Sequence, residues 1–180
     1  MRVITGSARG VPLKAPKGMQ TRPTMDQVKE ALFSAIQFEV EGRRALDLFA
    51  GSGQLGIEAL SRGAVSAVFV DRQKDACKIV EENLSKTKLA DKARVVCADY
   101  LSFLANCTEK FDLIFLDPPY VEIFLENALK KISEIDILSD SGIIICERPL
   151  EKPLADDFDG LTLAKNYRYG KTAVTIFRKA

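Results

Sequence analysis

Apolar residues recur along the chain in two rhythms. Val28, Ala31, Leu32, Ala35 and Ile36 fall at helical spacing and predict an amphipathic helix. Thr24, with Gln27 three residues later, fits a capping box and sets the expected start of that helix. Ahead of it, Arg2-Val3-Ile4 and Val11-Pro12-Leu13 read as short strands around the loop Gly6-Ser7-Ala8-Arg9-Gly10. From Arg44 onward short apolar runs alternate with helical patterns. Ala45 to Phe49, Ala67 to Val70, Arg94 to Cys97, Phe111 to Leu116 and Gly142 to Cys146 predict five strands. Helices are expected from the glycine turn to about Arg62, around Ala76, Ile79, Val80 and Leu84, and around Phe124, Leu125, Ala128, Leu129 and Ile132. Thr162 to Tyr169 and Thr172 to Phe177, joined around Gly170-Lys171, predict a closing antiparallel hairpin. Such alternation implies an α/β fold with a mostly parallel sheet and helices on both faces. The expected division is an N-terminal extension, residues 1–43, followed by one domain, residues 44–180.

The predicted strands end in residues that carry chemistry. Asp117-Pro118-Pro119-Tyr120 follows the fourth strand. Neither proline donates a backbone hydrogen bond and each fixes φ near −65°, and the residue before a proline is driven out of the helical region. The expected product is a stiff turn that holds Asp117 and Tyr120 at the strand's carboxyl end, where open α/β sheets bind ligands. Gly51-Ser52-Gly53-Gln54-Leu55-Gly56 spells Gly-x-Gly-x-x-Gly, a pattern that alone would suggest a dinucleotide. Asp47, four residues before it and inside the strand, argues against a pyrophosphate and for a ligand with a cationic amino group, such as S-adenosylmethionine. The alternative is that Asp47 only hydrogen-bonds its own loop. Asp71 ends the second strand and suits the two hydroxyls of a ribose. Asp99, after the third, either accepts from an adenine amine or caps the helix beginning at Tyr100.

Composition narrows the chemistry further. The chain of 180 residues is long enough for one well-buried core. It has no histidine, which excludes Ser-His-Asp and Cys-His catalysis and every His-containing metal site. None of the four cysteines forms a Cys-x-x-Cys pair, and Cys97 and Cys146 read as reduced core residues. The N-terminus lacks an apolar signal segment and no run approaches the ~20 residues of a membrane span, so the expectation is a cytoplasmic protein that binds neither membrane nor metal. Residues 1–25 carry five basic groups and no acid, as do residues 161–180. The other 16 of the 26 basic residues face all 25 acids. Two basic ends on an acidic body form a polyanion-facing surface if they meet in space, and are otherwise merely solvated.

Asp47-Leu48-Phe49-Ala50-Gly51-Ser52-Gly53 together with Asp117-Pro118-Pro119-Tyr120 resembles the class I S-adenosylmethionine-dependent methyltransferases that act on exocyclic amines. Arg22-Pro23-Thr24, the helix Val28 to Phe33, the run Leu55 to Ala64 and Tyr169-Gly170-Lys171-Thr172 narrow the resemblance to the RsmD family, which methylates a guanine N2 in 16S ribosomal RNA. The resemblance implies a Rossmann-like methyltransferase fold. It implies that Asp47 and Gly51, Ser52 and Gly53 line the methionine part of S-adenosylmethionine, that Asp71 holds the ribose and Asp99 the adenine amine, and that Phe49 and Tyr100 belong to the same site. It further implies that Asp117 and the Pro118 carbonyl receive the target amine, that Tyr120 stacks on the base, and that Arg9, Arg22, Thr24, Pro119 and Lys171 face the substrate. The implied partner is 16S rRNA within the small subunit or an assembly intermediate. Two features depart from the family pattern: its second-strand acid is more often Glu than Asp, and the segment Gly6 to Leu13 is less basic than is common. The rival readings are a DNA adenine-N6 methyltransferase, which shares the tetrad, a protein-glutamine methyltransferase, which more often has Asn at the position of Asp117, and a non-catalytic module holding NAD.

Overall fold

A computed structural model describes residues 1–18, 23–119 and 123–180, with the backbone alone for residues 23–25. Its strands are β1 (Arg44–Asp47), β2 (Ser66–Asp71), β3 (Ala93–Cys97), β4 (Phe111–Leu116), β5 (Leu138–Pro149), β6 (Asp157–Phe158), β7 (Leu161–Tyr169) and β8 (Thr172–Lys179). They form one sheet in the order β3-β2-β1-β4-β5-β8-β7-β6. The first five pair in parallel and the last three antiparallel. The helices are α1 (Pro23–Ala35), α2 (Gln54–Ser61), α3 (Lys74–Thr87), α4 (Tyr100–Ala105) and α5 (Ile123–Ile135).

The central strands are almost wholly apolar because both faces of the sheet are covered. Ala45, Leu113, Phe115, Ile143 and Ile145 pack on one face with residues of α1, α2 and α3. Leu46, Leu48, Ile114, Leu116 and Ile144 pack on the other with residues of α4 and α5. Each large apolar side chain so buried contributes about 1.5–3 kcal/mol. Val3, Leu13, Leu32, Phe33 and Val40 belong to the first of these cores, so residues before β1 share the core of the sheet.

Every residue of α2 is buried, including Glu58 and Ser61. The reason is the N-terminal segment laid over it. Glu58 accepts from the backbone N–H of Ile4 at 2.9 Å and of Thr5 at 3.0 Å, and from Arg62 Nε at 2.9 Å. Lys29, also buried, lies 3.8 Å from Glu58 and donates to the Arg2 carbonyl at 2.6 Å. Ser61 Oγ donates to the Thr5 carbonyl and accepts from the Ala8 N–H. The run that marked the family resemblance thus contains the residues that fasten the N-terminus.

Several boundaries differ from the sequence reading. The helix α1 starts at Pro23, so Thr24 is its second residue and not its cap; a proline suits that first turn, where its missing N–H costs nothing. The segments around Gly6 to Gly10 make a single antiparallel bridge, Arg2 to Pro12, not two strands. The strand β5 is twelve residues long, and the added residues include Glu147. Cys97 is exposed, because β3 forms the sheet's edge, whereas Cys146 is buried as expected. Among the described residues no helix is long and apolar enough to cross a membrane.

Candidate active site

Strand order reverses between β1 and β4, and the chain leaves those two strands in opposite directions. Their carboxyl ends open the crevice at which open α/β sheets bind ligands. A cleft of ≈ 1610 Å³ occupies this position. Asp47, the last residue of β1, is aligned with Phe115 of β4, and Asp117 follows two residues later. The glycine loop crosses the cleft floor. Gly53 has φ +80°, a left-handed turn that glycine tolerates without strain and that starts α2. Gly56 lets that helix press on the sheet, since a Cβ there would lie 2.4 Å from the Phe69 ring. Its N–H donates to Asp47 at 3.1 Å.

That one bond does not compensate the burial of Asp47. Burial raises its pKa to about 7, the Gly56 N–H pulls it down and the charge on Asp71 pushes it up. Two further polar atoms in the cleft wall, Ser52 Oγ and Gln54 Oε1, are buried without a hydrogen-bond partner among the described residues. Unpaired buried oxygens of this kind are costly. A ligand that brings N–H or O–H donors would satisfy them, which fits an amino-acid moiety beside Asp47.

Asp71 holds the loop from the other side. It accepts from the Gly51 N–H and the Gln73 N–H, each at 2.9 Å. Asp99 caps α4 by accepting from Leu101 and Ser102 N–H groups through one oxygen, Oδ2, yet it also lines the cleft. Capping therefore leaves the second oxygen for a ligand. Phe49, Tyr100 and Phe124 make a packed aromatic wall beside it, with ring centroids 4.9 Å apart for Phe49 and Tyr100 and 5.5 Å for Tyr100 and Phe124. Phe124 marks a helix in the sequence, and its ring joins this wall.

Asp117, Pro118 and Pro119 line the same cleft. Burial drives the Asp117 carboxyl well above the ordinary carboxylate range, with the charges of Glu147 and Asp47 adding to it. Glu147, which sequence reasoning missed, lies one residue past Cys146, whose register partner is Leu116. It was legible in one respect: it continues the series of acids that end the parallel strands. Lys171, from the β7–β8 turn, lines the cleft, as do Gly18 and Val28 from the N-terminal region. Of the basic residues at the two ends of the chain, Lys171 is the one that lines this cleft among the described residues. Arg9 does not reach it. Its turn packs where Ser7 and Ala8 bond to Ser61, at the far end of α2. Arg22 and Tyr120 lie outside the described residues, as does the Thr24 side chain.

An open parallel sheet with a glycine turn after β1, strand-end acids and a terminal antiparallel hairpin is the fold of the class I methyltransferases. A solved structure titled "Putative methyltransferase yhhF from Escherichia coli" superposes with TM-score 0.89 at 33% identity, covering 99% of this chain and 97% of that one. The family model described as "Conserved hypothetical protein 95" matches residues 1–178, and the chain belongs to this family, the RsmD family. "Putative rRNA methyltransferase YlbH" of Bacillus subtilis is 43% identical over 182 residues, covering 99% of both chains. "Ribosomal RNA small subunit methyltransferase D" of Escherichia coli K12 is 32% identical, covering 99% of this chain and 90% of the relative.

Proposed function

We propose that this protein transfers a methyl group from S-adenosylmethionine to the exocyclic N2 amine of a guanine in small-subunit ribosomal RNA. The observation that carries the reading is the single cleft in which Asp47, Asp71 and Asp99 stand beside the Asp117-Pro118-Pro119 turn. Acids, not phosphate-binding groups, surround the glycine loop, and an amine-holding turn adjoins them. The relatives' names support ribosomal RNA as the substrate class. RNA contact falls to the N-terminal extension, residues 1–43, and to the β7–β8 turn, and the substrate is the small subunit or its assembly intermediate in the cytoplasm.

S-adenosylmethionine supplies the methyl group as a sulfonium substituent. Asp47 and the Gly51, Ser52 and Gly53 loop hold its amino-acid end, Asp71 the ribose and Asp99 the adenine amine, with Phe49 and Tyr100 against the ring. The guanine amine is a weak nucleophile because its lone pair is delocalised. Accepting its two N–H groups, Asp117 and the Pro118 carbonyl fix the nitrogen and favour pyramidal geometry. The Asp117 charge also stabilises the positive charge that grows on nitrogen, and alignment of the reactants supplies much of the remaining rate. The methylated amine is a strong acid, so its extra proton leaves to Asp117 or water. The base must leave its stack at a cost of a few kcal/mol; stacking on Tyr120 returns about 1–3 kcal/mol. Arg22, Thr24, Pro119, Lys171 and, on the outer surface, Arg9 steer the RNA.

A thermal-shift experiment tests the donor. S-adenosylmethionine at about 100 times its Kd should raise Tm by roughly 5–10 °C, and NAD should not. Asp47→Asn keeps an acceptor for Gly56 but loses the charge. Because Asp47 has a raised folded pKa, its ionisation costs folding energy from about pH 4 upward, fully so above about pH 7. At pH 8 the free variant should therefore melt no lower than the parent while its S-adenosylmethionine shift disappears. A shift with NAD alone would overturn the reading.

A further inference from the structure

Glu147 has no role in the reaction described so far, yet its position is specific. The parallel register of β4 and β5 aligns Leu116 with Cys146, so the next residues, Asp117 and Glu147, are neighbours on strands about 4.8 Å apart. Both line the main cleft, and Glu147 also lines a smaller cavity of ≈ 320 Å³ behind Pro118 and Pro119. Among the described residues neither carboxylate accepts a hydrogen bond. The acids that serve the fold differ in this respect: Glu58 and Asp112 are each met by two or more donors. The nearby unpaired Ser52 Oγ and Gln54 Oε1 mark the same cleft as built around a ligand.

The two acids are matched to one edge of one base. Guanine presents a contiguous row of donors, N1–H and the two N2 hydrogens. Adenine presents an acceptor, N1, beside its amine. An ionised carboxylate only accepts, and extruded bases are read along this edge. With Asp117 and the Pro118 carbonyl occupied by the amine, the neighbouring acceptor falls to the adjacent ring position. Resting on the methyl-transfer reading above, we propose that Glu147 is the residue that selects guanine, by accepting the N1–H while Asp117 holds N2. The same bond withdraws proton character from N1 and enriches the N1–C2–N2 unit, so it favours attack by N2 as well as recognition. Adenine would set its N1 lone pair against the Glu147 carboxylate. The four-residue turn alone serves either base; the acid on the next strand distinguishes them.

The test uses the full chain and small ribosomal subunits. The methylated guanine is located with wild-type protein, and subunits are reconstituted with guanine or 2-aminopurine at that position. 2-Aminopurine retains the exocyclic amine but has a bare acceptor at N1. Wild type should favour guanine by roughly 10–10²-fold in kcat/KM. Glu147→Gln carries an amide that can donate to that acceptor, and should bring the two substrates to within about threefold while binding S-adenosylhomocysteine normally. A purely structural role would lower both rates together and keep their ratio. An unchanged ratio in the variant, or equal rates with wild type, overturns the assignment while methyl transfer to guanine stands. Absence of label from every guanine with wild type would overturn the methyl-transfer reading and this one with it.

Discussion

Asp117→Ala is expected to lower methyl-transfer turnover by roughly 10²–10³-fold while leaving the Kd for S-adenosylhomocysteine within about twofold. The argument is that the Asp117 carboxylate meets charge that exists only as the amine reacts. Its neighbours make it poor at anything else. Asp117 is flanked on the two adjoining strands by Glu147 and Asp47, and burial together with those charges raises its pKa well above the usual range. Burial raises Glu147 in the same direction. A raised folded pKa means that ionisation costs stability, with the loss beginning as pH rises past the unfolded carboxylate's value and complete above the folded one. Asp117→Ala should therefore raise Tm at pH 8 even as it abolishes most activity. The wild-type rate should fall on acidification at a higher pH than an exposed carboxylate would give. Loss of cofactor binding along with turnover would contradict the assigned role, as would a lowered Tm.

Glu58→Ala is expected to act in the opposite sense, costing about 3–5 kcal/mol and lowering Tm by roughly 6–20 °C. Glu58 is as deeply placed as any acid in the molecule, but it is surrounded by donors: two backbone N–H groups, Arg62 and Lys29. Its removal strands a buried ammonium, since burial already lowers the Lys29 pKa and Glu58 is its principal counter-charge. It also frees the N-terminal segment from α2. Amide exchange at Ile4 and Thr5 should accelerate before global unfolding. Replacing Lys29 with Met in the Glu58→Ala background should recover part of the loss, because the uncompensated charge is gone. A single variant that melts within 2 °C or so of the parent would show that these bonds are not what fastens the segment.

The contrast between these acids explains what the sequence could convey. Strands and helices were readable because their apolar periods are local properties, and the glycine turn and the prolines act on their own backbone. Asp47, Asp71 and Asp117 were readable because each sits at the end of such a run. Asp99 caps α4 through one oxygen, the local reading of the two, and it also lines the cleft. What could not be read depended on contacts between distant segments. Glu58 looks like a solvent-facing residue of a short helix until residues 1–8 are laid across it, more than 50 positions away. Glu147 becomes a neighbour of Asp117 only through the β4–β5 register. Cys97 is exposed because β3 has a partner on one side alone. Arg9 belongs to a basic end of the chain, yet the fold carries it to the far end of α2 while Lys171, from the other terminus, reaches the cleft.

The most direct measurement is methyl transfer from labelled S-adenosylmethionine to small ribosomal subunits that lack the modification, with naked ribosomal RNA and duplex DNA in parallel. The account predicts label in the RNA of the small subunit, recovered on digestion as N2-methylguanine and dependent on Asp117. Label found in DNA alone, or recovered as N6-methyladenine, would contradict it.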